Sequence, residues 1–142
     1  MYYVNREQIE RRLNMIPQII EVLNQAEAKT NQDLELLYAF AEERALHLGI
    51  EVVTDVGSYL IDGFIMRDAS SYEDIIDIML DEKVVDGELA ALLTELVRLR
   101  RPLVQEYFDW RKDGLSELVT GLPDALTSFA LKVRDYLDHE LN

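Results

Sequence analysis

The sequence predicts an all-α fold, an up-and-down bundle of four main helices plus a short one, on three observations. Apolar residues recur every three or four positions through most of the chain, no stretch alternates with period two, and only three prolines and six glycines punctuate 142 residues. A chain of this length can bury roughly 68–70% of the surface its unfolded form exposes, enough for one hydrophobic core. No repeat, low-complexity tract or linker divides it, so residues 1–142 are expected to form one domain.

The first helix is expected to open at Asn5, whose side chain can cap the free amides, with Gln8 as reciprocal partner three residues on. Ile9, Leu13, Ile16, Ile20 and Leu23 mark one stripe. Pro17 lies inside it and predicts a kink near Leu13, because the ring removes a hydrogen bond and crowds the preceding turn. A second helix, over 32–66, carries Leu37, Ala41, Ala45, Leu48, Val52, Val56, Leu60 and Phe64 at helical spacing. The run Glu51 to Thr54 belongs to that stripe rather than to a strand. Gly49, Gly57 and Gly63 each cost up to about 1 kcal/mol relative to Ala, compensated by close approach of another helix or expressed as a bend.

Ser70 to Glu73 reads as a capping box opening the short helix through Ile75, Ile76, Met79 and Leu80, with Lys83 suiting its C-terminal end. Asp86 starts the next main helix, with Glu88 in its first turn and Leu89, Leu92, Leu93, Leu96 and Leu99 along it; Pro102 interrupts it. After an Asp113-Gly114 turn, the last helix carries Leu118, Leu122, Leu126, Phe129, Val133, Tyr136 and Leu137, with Pro123 a candidate break.

Fourteen basic against 28 acidic residues give a net charge of −14, which repels nucleic acid at long range. A nucleic-acid role therefore requires a local basic patch. The absence of cysteine excludes disulfides, thiolate metal sites and cysteine nucleophiles, and fits a cytoplasmic protein. The longest run free of Asp, Glu, Lys and Arg is 13–20, far short of the about 20 apolar residues of a membrane-spanning helix. No membrane association and no secretory signal are expected.

No GxSxG, phosphate-binding loop or GxGxxG occurs, and no cofactor is expected. A carboxylate-bridged metal centre in a bundle takes Glu-x-x-His pairs, whereas His47 and His139 follow Arg44 and Tyr136 at that spacing. No metal site is predicted, and both histidines read as ordinary helix residues. The unusual stretch is 98–112, where Arg98, Arg100, Arg101, Arg111 and Lys112 outnumber Glu106 and Asp109. One reading is a phosphate-contacting surface, with Tyr107, Phe108 or Trp110 for stacking. The other is an arginine row paired with acidic faces of neighbouring helices.

Arg100-Arg101-Pro102-Leu103-Val104-Gln105-Glu106-Tyr107 resembles the R-x4-H-x-Y signature of the HepT-like proteins, a branch of the HEPN superfamily. Asp55-Val56-Gly57, Ile61-Asp62-Gly63-Phe64, Ser71-Tyr72, Ile75, Leu80 and Val84-Val85 follow the family order, so the resemblance covers about 40–141. It implies an all-helical homodimer with the signature lining a cleft between subunits. It also implies a metal-independent, toxin-like endoribonuclease that acts on RNA and pairs with an MNT-type nucleotidyltransferase antitoxin.

On that resemblance Arg100 and Gln105 hold the catalytic positions and Tyr107 matches the tyrosine that can accept adenylyl groups; Arg98 and Arg101, from the basic stretch, are candidate binding residues. The family histidine is replaced by Gln105. An amide hydrogen-bonds but has no useful titration near neutral pH, so cleavage by the usual route is expected to be weak or absent. Arg100 remains suited to holding a phosphate. On an ideal helix Arg100 and Gln105 point about 140° apart, whereas Arg101 and Gln105 share a face, which leaves a structural Arg-to-amide contact as the competing role. A noncatalytic homodimeric module binding a protein or nucleotide is the alternative function.

Overall fold

The computed structural model of the chain describes residues 2–110 and 115–141. The predicted Asp113-Gly114 turn and the basic residues Arg111 and Lys112 lie outside the described residues. The elements are α1 (Arg6–Leu13), α2 (Ile16–Ala28), a 3-10 turn (Gln32–Leu34), α3 (Glu35–Gly63), α4 (Tyr72–Asp81), α5 (Gly87–Arg98), α6 (Arg100–Val104), a second 3-10 turn (Tyr107–Asp109) and α7 (Ser116–Glu140). Among the described residues there is no strand. The structure is the expected bundle, with two of its main helices each divided in two.

Both divisions follow from proline chemistry. A proline cannot bond the carbonyl four residues back and crowds it. Four residues before Pro17 is Leu13, the last residue of α1; four before Pro102 is Arg98, the last residue of α5. The predicted kink near Leu13 divides α1 from α2 at Asn14 and Met15, and Leu99 joins α5 to α6; all three residues keep right-handed helical dihedrals. Pro123 lies equally deep in α7, yet that helix runs through it without a break. Leu122, Leu126, Phe129 and Val133 are fully buried on either side of it, so core packing outweighs the lost backbone bond.

Several caps sit where the sequence puts them, with shifts of partner. The Gln8 amide donates to Asn5 Oδ1 at 3.2 Å, but the Gln8 side chain does not return the bond; its carbonyl accepts from Arg12 Nη1 at 2.6 Å. The cap of α4 is moved by one residue from the predicted box. Ser71 Oγ accepts from the Asp74 amide at 3.0 Å, while Glu73 turns away to Arg98.

Asp74 accepts both prongs of the Arg67 guanidinium at 2.7 and 2.8 Å and the Ser70 amide at 2.9 Å. The Arg67 bonds first, then the Ser70 amide, hold its carboxyl well below the usual carboxylate range. Because the folded-state pKa is depressed, the clamp stabilises the fold above the unfolded carboxylate pKa of about 3.9 and is lost only as pH falls below it. Lys83 lies just beyond α4 in the left-handed region with φ 63°. Its amide bonds Leu80 and that of Val84 bonds Met79, which closes the helix in a six-to-one turn.

α2 and α5 each pack against α3 and α7, so the four form a closed ring; α1 runs along α3, and α4 fills the side between α3 and α5. Leu46, Ile50, Leu60, Leu93, Leu126 and Phe129 are fully buried at its centre. Each such side chain stabilises the fold by roughly 1.5–3 kcal/mol relative to exposure. The predicted stripes are corrected at their edges. Leu37 is 62% exposed because the first turns of α3 lie outside the ring, and Ile19 and Ile78, rather than Ile20 and Leu80, are fully buried. Close approach explains two of the three glycines of α3. A Cβ on Gly57 would stand 2.3 Å from Ile75 Cγ2 and one on Gly63 2.9 Å from the Val4 backbone, whereas one on Gly49 would meet nothing nearer than 3.9 Å.

Candidate functional site

α6 packs against α3, and its first residue, Arg100, reaches across to that helix. Its Nε donates to Glu51 Oε1 at 3.2 Å, and the guanidinium carbon lies 4.2 Å from the centre of the Tyr72 ring at the start of α4. The side chain is 25% exposed. A carboxylate on one side and an aromatic face on the other thus fix the guanidinium where α3, α4 and α6 meet. One edge of the planar cation is spent on Glu51; its remaining donors are the ones that could receive a phosphate.

The other predicted residues are placed less centrally. Arg98 Nε donates to Glu73 Oε1 at 2.6 Å, and Arg101 Nε lies 3.3 Å from Glu106 Oε2, both on the exposed surface. The described arginines of the basic stretch are therefore paired with acids, two of them on neighbouring helices, which is the second of the two readings of that stretch. Exposed ion pairs of this kind stabilise little, about 0–1 kcal/mol, and exchange readily.

Gln105 caps α6 in near-helical geometry, its amide donating to the Arg101 carbonyl at 2.8 Å. Its exposed side chain has no hydrogen-bond partner among the described residues. The structure does not bring Gln105 onto Arg100, and the Arg101 side chain goes to Glu106 instead of to the Gln105 amide. Tyr107 is 63% exposed and meets Phe108 edge to face at 5.7 Å between ring centres. Its phenol is open to solvent, as an acceptor of a transferred group must be.

Three residues of the site escape the sequence reading. Glu51, Tyr72 and His47 surround or adjoin Arg100. His47 Nε2 lies 3.5 Å from the same Glu51 Oε1 that Arg100 uses, and Arg44 Nη1 lies 3.4 Å from His47 Nδ1. The available signal was a polar stripe, Arg44, His47 and Glu51 at i, i+3 and i+7, along a largely apolar helix. Among the described residues no group of three or more His, Asp or Glu side chains could hold a metal ion. No helix among them is long and apolar enough to cross a membrane.

Comparison with known proteins gives a consistent result. Residues 9–133 match the family described as Ribonuclease HepT-like. A Bacillus subtilis (strain 168) protein named "Putative RNase YutE" is 38% identical over 141 residues, 99% of this chain and 95% of that protein. The solved structure of YutE from Bacillus subtilis, described as a cytosolic protein of unknown function, superposes with a TM-score of 0.86 at 38% identity, over 99% of this chain and 96% of that one. A tri-AMPylated Shewanella oneidensis HEPN toxin, solved in complex with an MNT antitoxin, gives a TM-score of 0.78 at 15% identity, over 89% of this chain and 96% of that one. At that identity the likeness concerns the fold, which is that of the HEPN toxins.

Proposed function

The chain belongs to the ribonuclease HepT-like family, and from that premise we propose that it is the toxin component of a pair whose other member is an MNT-type nucleotidyltransferase antitoxin. Acting as one helical domain and as a homodimer, it holds RNA at Arg100, with Arg98 and Arg101 releasing Glu73 and Glu106 to meet neighbouring phosphates. The observation that carries this reading is the half-buried Arg100, fixed by Glu51 and Tyr72, seven residues before an exposed phenol. The excess of basic residues over 98–112 supplies the local charge that an acidic protein needs to hold a polyanion, once the paired glutamates give way. Exposed Leu36, Leu37 and Phe40 on the outer turns of α3, together with Phe108, support burial of apolar surface against a second subunit. The solved complex of a HEPN toxin with its MNT antitoxin supports the partner, and the AMP groups on that toxin support Tyr107 as the acceptor here.

Arg100→Ala tests the RNA-binding part. Loss of a charge-assisted contact costs about 1.5–3 kcal/mol, so the Kd for single-stranded RNA in a fluorescence titration should rise by about one to two orders of magnitude. Equal binding by wild type and variant would reject the assignment. Incubation with the partner nucleotidyltransferase and ATP should add adenylyl groups on Tyr107, seen by mass spectrometry of the tryptic peptide and absent from Tyr107→Phe.

A second reading is favoured by one feature. With Gln105 in the family histidine position and the described arginines of the stretch all paired, the same fold serves as a noncatalytic dimer that binds a protein or nucleotide. RNA binding without cleavage at any pH would select it.

A further inference from the structure

The Gln105 position removes one proton-transferring group from the signature, yet a histidine stands beside Arg100 by a different route. His47 Nε2 and Arg100 Nε approach the same oxygen, Glu51 Oε1, at 3.5 and 3.2 Å, so the imidazole and the guanidinium are adjacent. His47 is 31% exposed and therefore reachable from solvent. The charged groups facing it are Arg44 and Glu51 on its own helix and, from α6, Arg100, itself backed by Tyr72 of α4.

The contacts also fix how the ring is used. A carboxylate accepts, so Nε2 carries the proton that faces Glu51; an arginine donates, so Nδ1 faces Arg44 with its lone pair. A carboxylate, a histidine held beside it and an acceptor nitrogen covered only by a long arginine contact are the parts of a general base. The Arg44 contact is long, at 3.4 Å, and Arg44 is exposed, so an incoming phosphate can draw its guanidinium away and uncover Nδ1.

Resting on the nuclease reading above, we propose that His47 accepts the ribose 2′-hydroxyl proton when RNA is held at Arg100, supplying the base that Gln105 cannot be. The proton passes to Nδ1, the 2′-oxygen forms a bond to phosphorus, and the bond from phosphorus to the 5′-oxygen breaks. The leaving 5′-oxygen takes a proton from water, and the imidazolium returns its own to water. The products are a 2′,3′-cyclic phosphate and a 5′-hydroxyl, with no oxidant or further reactant. Glu51 is a positioning residue that holds the ring and the guanidinium side by side.

The test is the cleavage rate of a labelled single-stranded RNA from pH 5 to 8.5, with product ends identified by mass spectrometry, for wild type, His47→Gln, Glu51→Gln and Arg100→Ala. His47→Gln is expected to lower kcat on the order of 100-fold and to change the shape of the pH profile, with RNA affinity unchanged. A merely structural role for His47 would leave the pH profile intact. Glu51→Gln should lower the rate while retaining a rising profile. If His47→Gln cleaves as the wild type does while Arg100→Ala is inactive, the base assignment is overturned and the nuclease reading stands. If wild type and Arg100→Ala share the same background, the nuclease reading fails and the base assignment falls with it.

Discussion

Gln105→His is expected to raise the rate of RNA cleavage on the order of 100-fold or more, the usual contribution of one general acid or base. The reason lies in what the amide lacks. Gln105 is exposed, has no side-chain partner among the described residues and caps the short helix that Arg100 opens, so an imidazole can replace it without displacing packed atoms. It lies five positions after Arg100, at the other end of α6. A histidine there stands in solvent, open to the ribose and leaving group of an RNA held at Arg100. With His47 drawing the 2′-hydroxyl proton, the introduced imidazolium can protonate the leaving 5′-oxygen, and the rate should become bell-shaped in pH rather than rising to a plateau. The same end-labelled RNA assay reads both effects. An unchanged rate would mean that position 105 does not face the reacting phosphate.

Gly57→Ala is expected to destabilise the fold by about 1–3 kcal/mol, the usual cost of an overpacked core. The added methyl would stand 2.3 Å from Ile75 Cγ2 and 3.3 Å from Met79 Cε. Ile75 is β-branched and buried, so it cannot swing aside and α4 must move away from α3. Tyr72 stands at the start of α4, against the Arg100 guanidinium. The substitution should therefore also weaken RNA binding from a position that touches no RNA. Gly49→Ala is the matched control. Its methyl meets only Leu126 Cδ1 and Leu96 Cδ2 at 3.9 Å, so the helix-propensity gain of up to about 1 kcal/mol should appear as added stability. Denaturant midpoints of the two variants, shifted in opposite directions, check both statements.

Local rules made much of the fold legible. Asn5 and Asp86 cap helices because a short polar side chain answers amides two or three residues away. Pro17 and Pro102 end helices four residues upstream because that is how far the lost bond reaches. Where a local rule competed with packing it was overridden, as at Pro123. Where two adjacent residues could serve as the cap, at Ser70 and Ser71, register was decided by Asp74 being clamped by Arg67. The outer turns of α3 keep helical spacing but no facing helix, which leaves Leu37 exposed despite its place in the stripe.

The candidate site was legible only in part. Arg100, Gln105 and Tyr107 stand close together in the chain, so a short pattern reveals them. Glu51 and His47 do not: they lie about fifty residues upstream, and His47 alone reads as one more polar residue on a helix.

By itself the sequence determined the helical stripes, the caps at Asn5 and Asp86, the interruptions at Pro17 and Pro102 and the acidic balance, because each depends on neighbours within about one helical turn or on a sum over all residues. The tertiary structure alone decided that Arg100 lies between Glu51 and Tyr72, that His47 shares its carboxylate, and that Gln105 stays apart in solvent. Those juxtapositions depend on how far α3, α4 and α6 slide and rotate against one another, and that register is set by the fit of side chains such as Ile75 against Gly57 across the whole core.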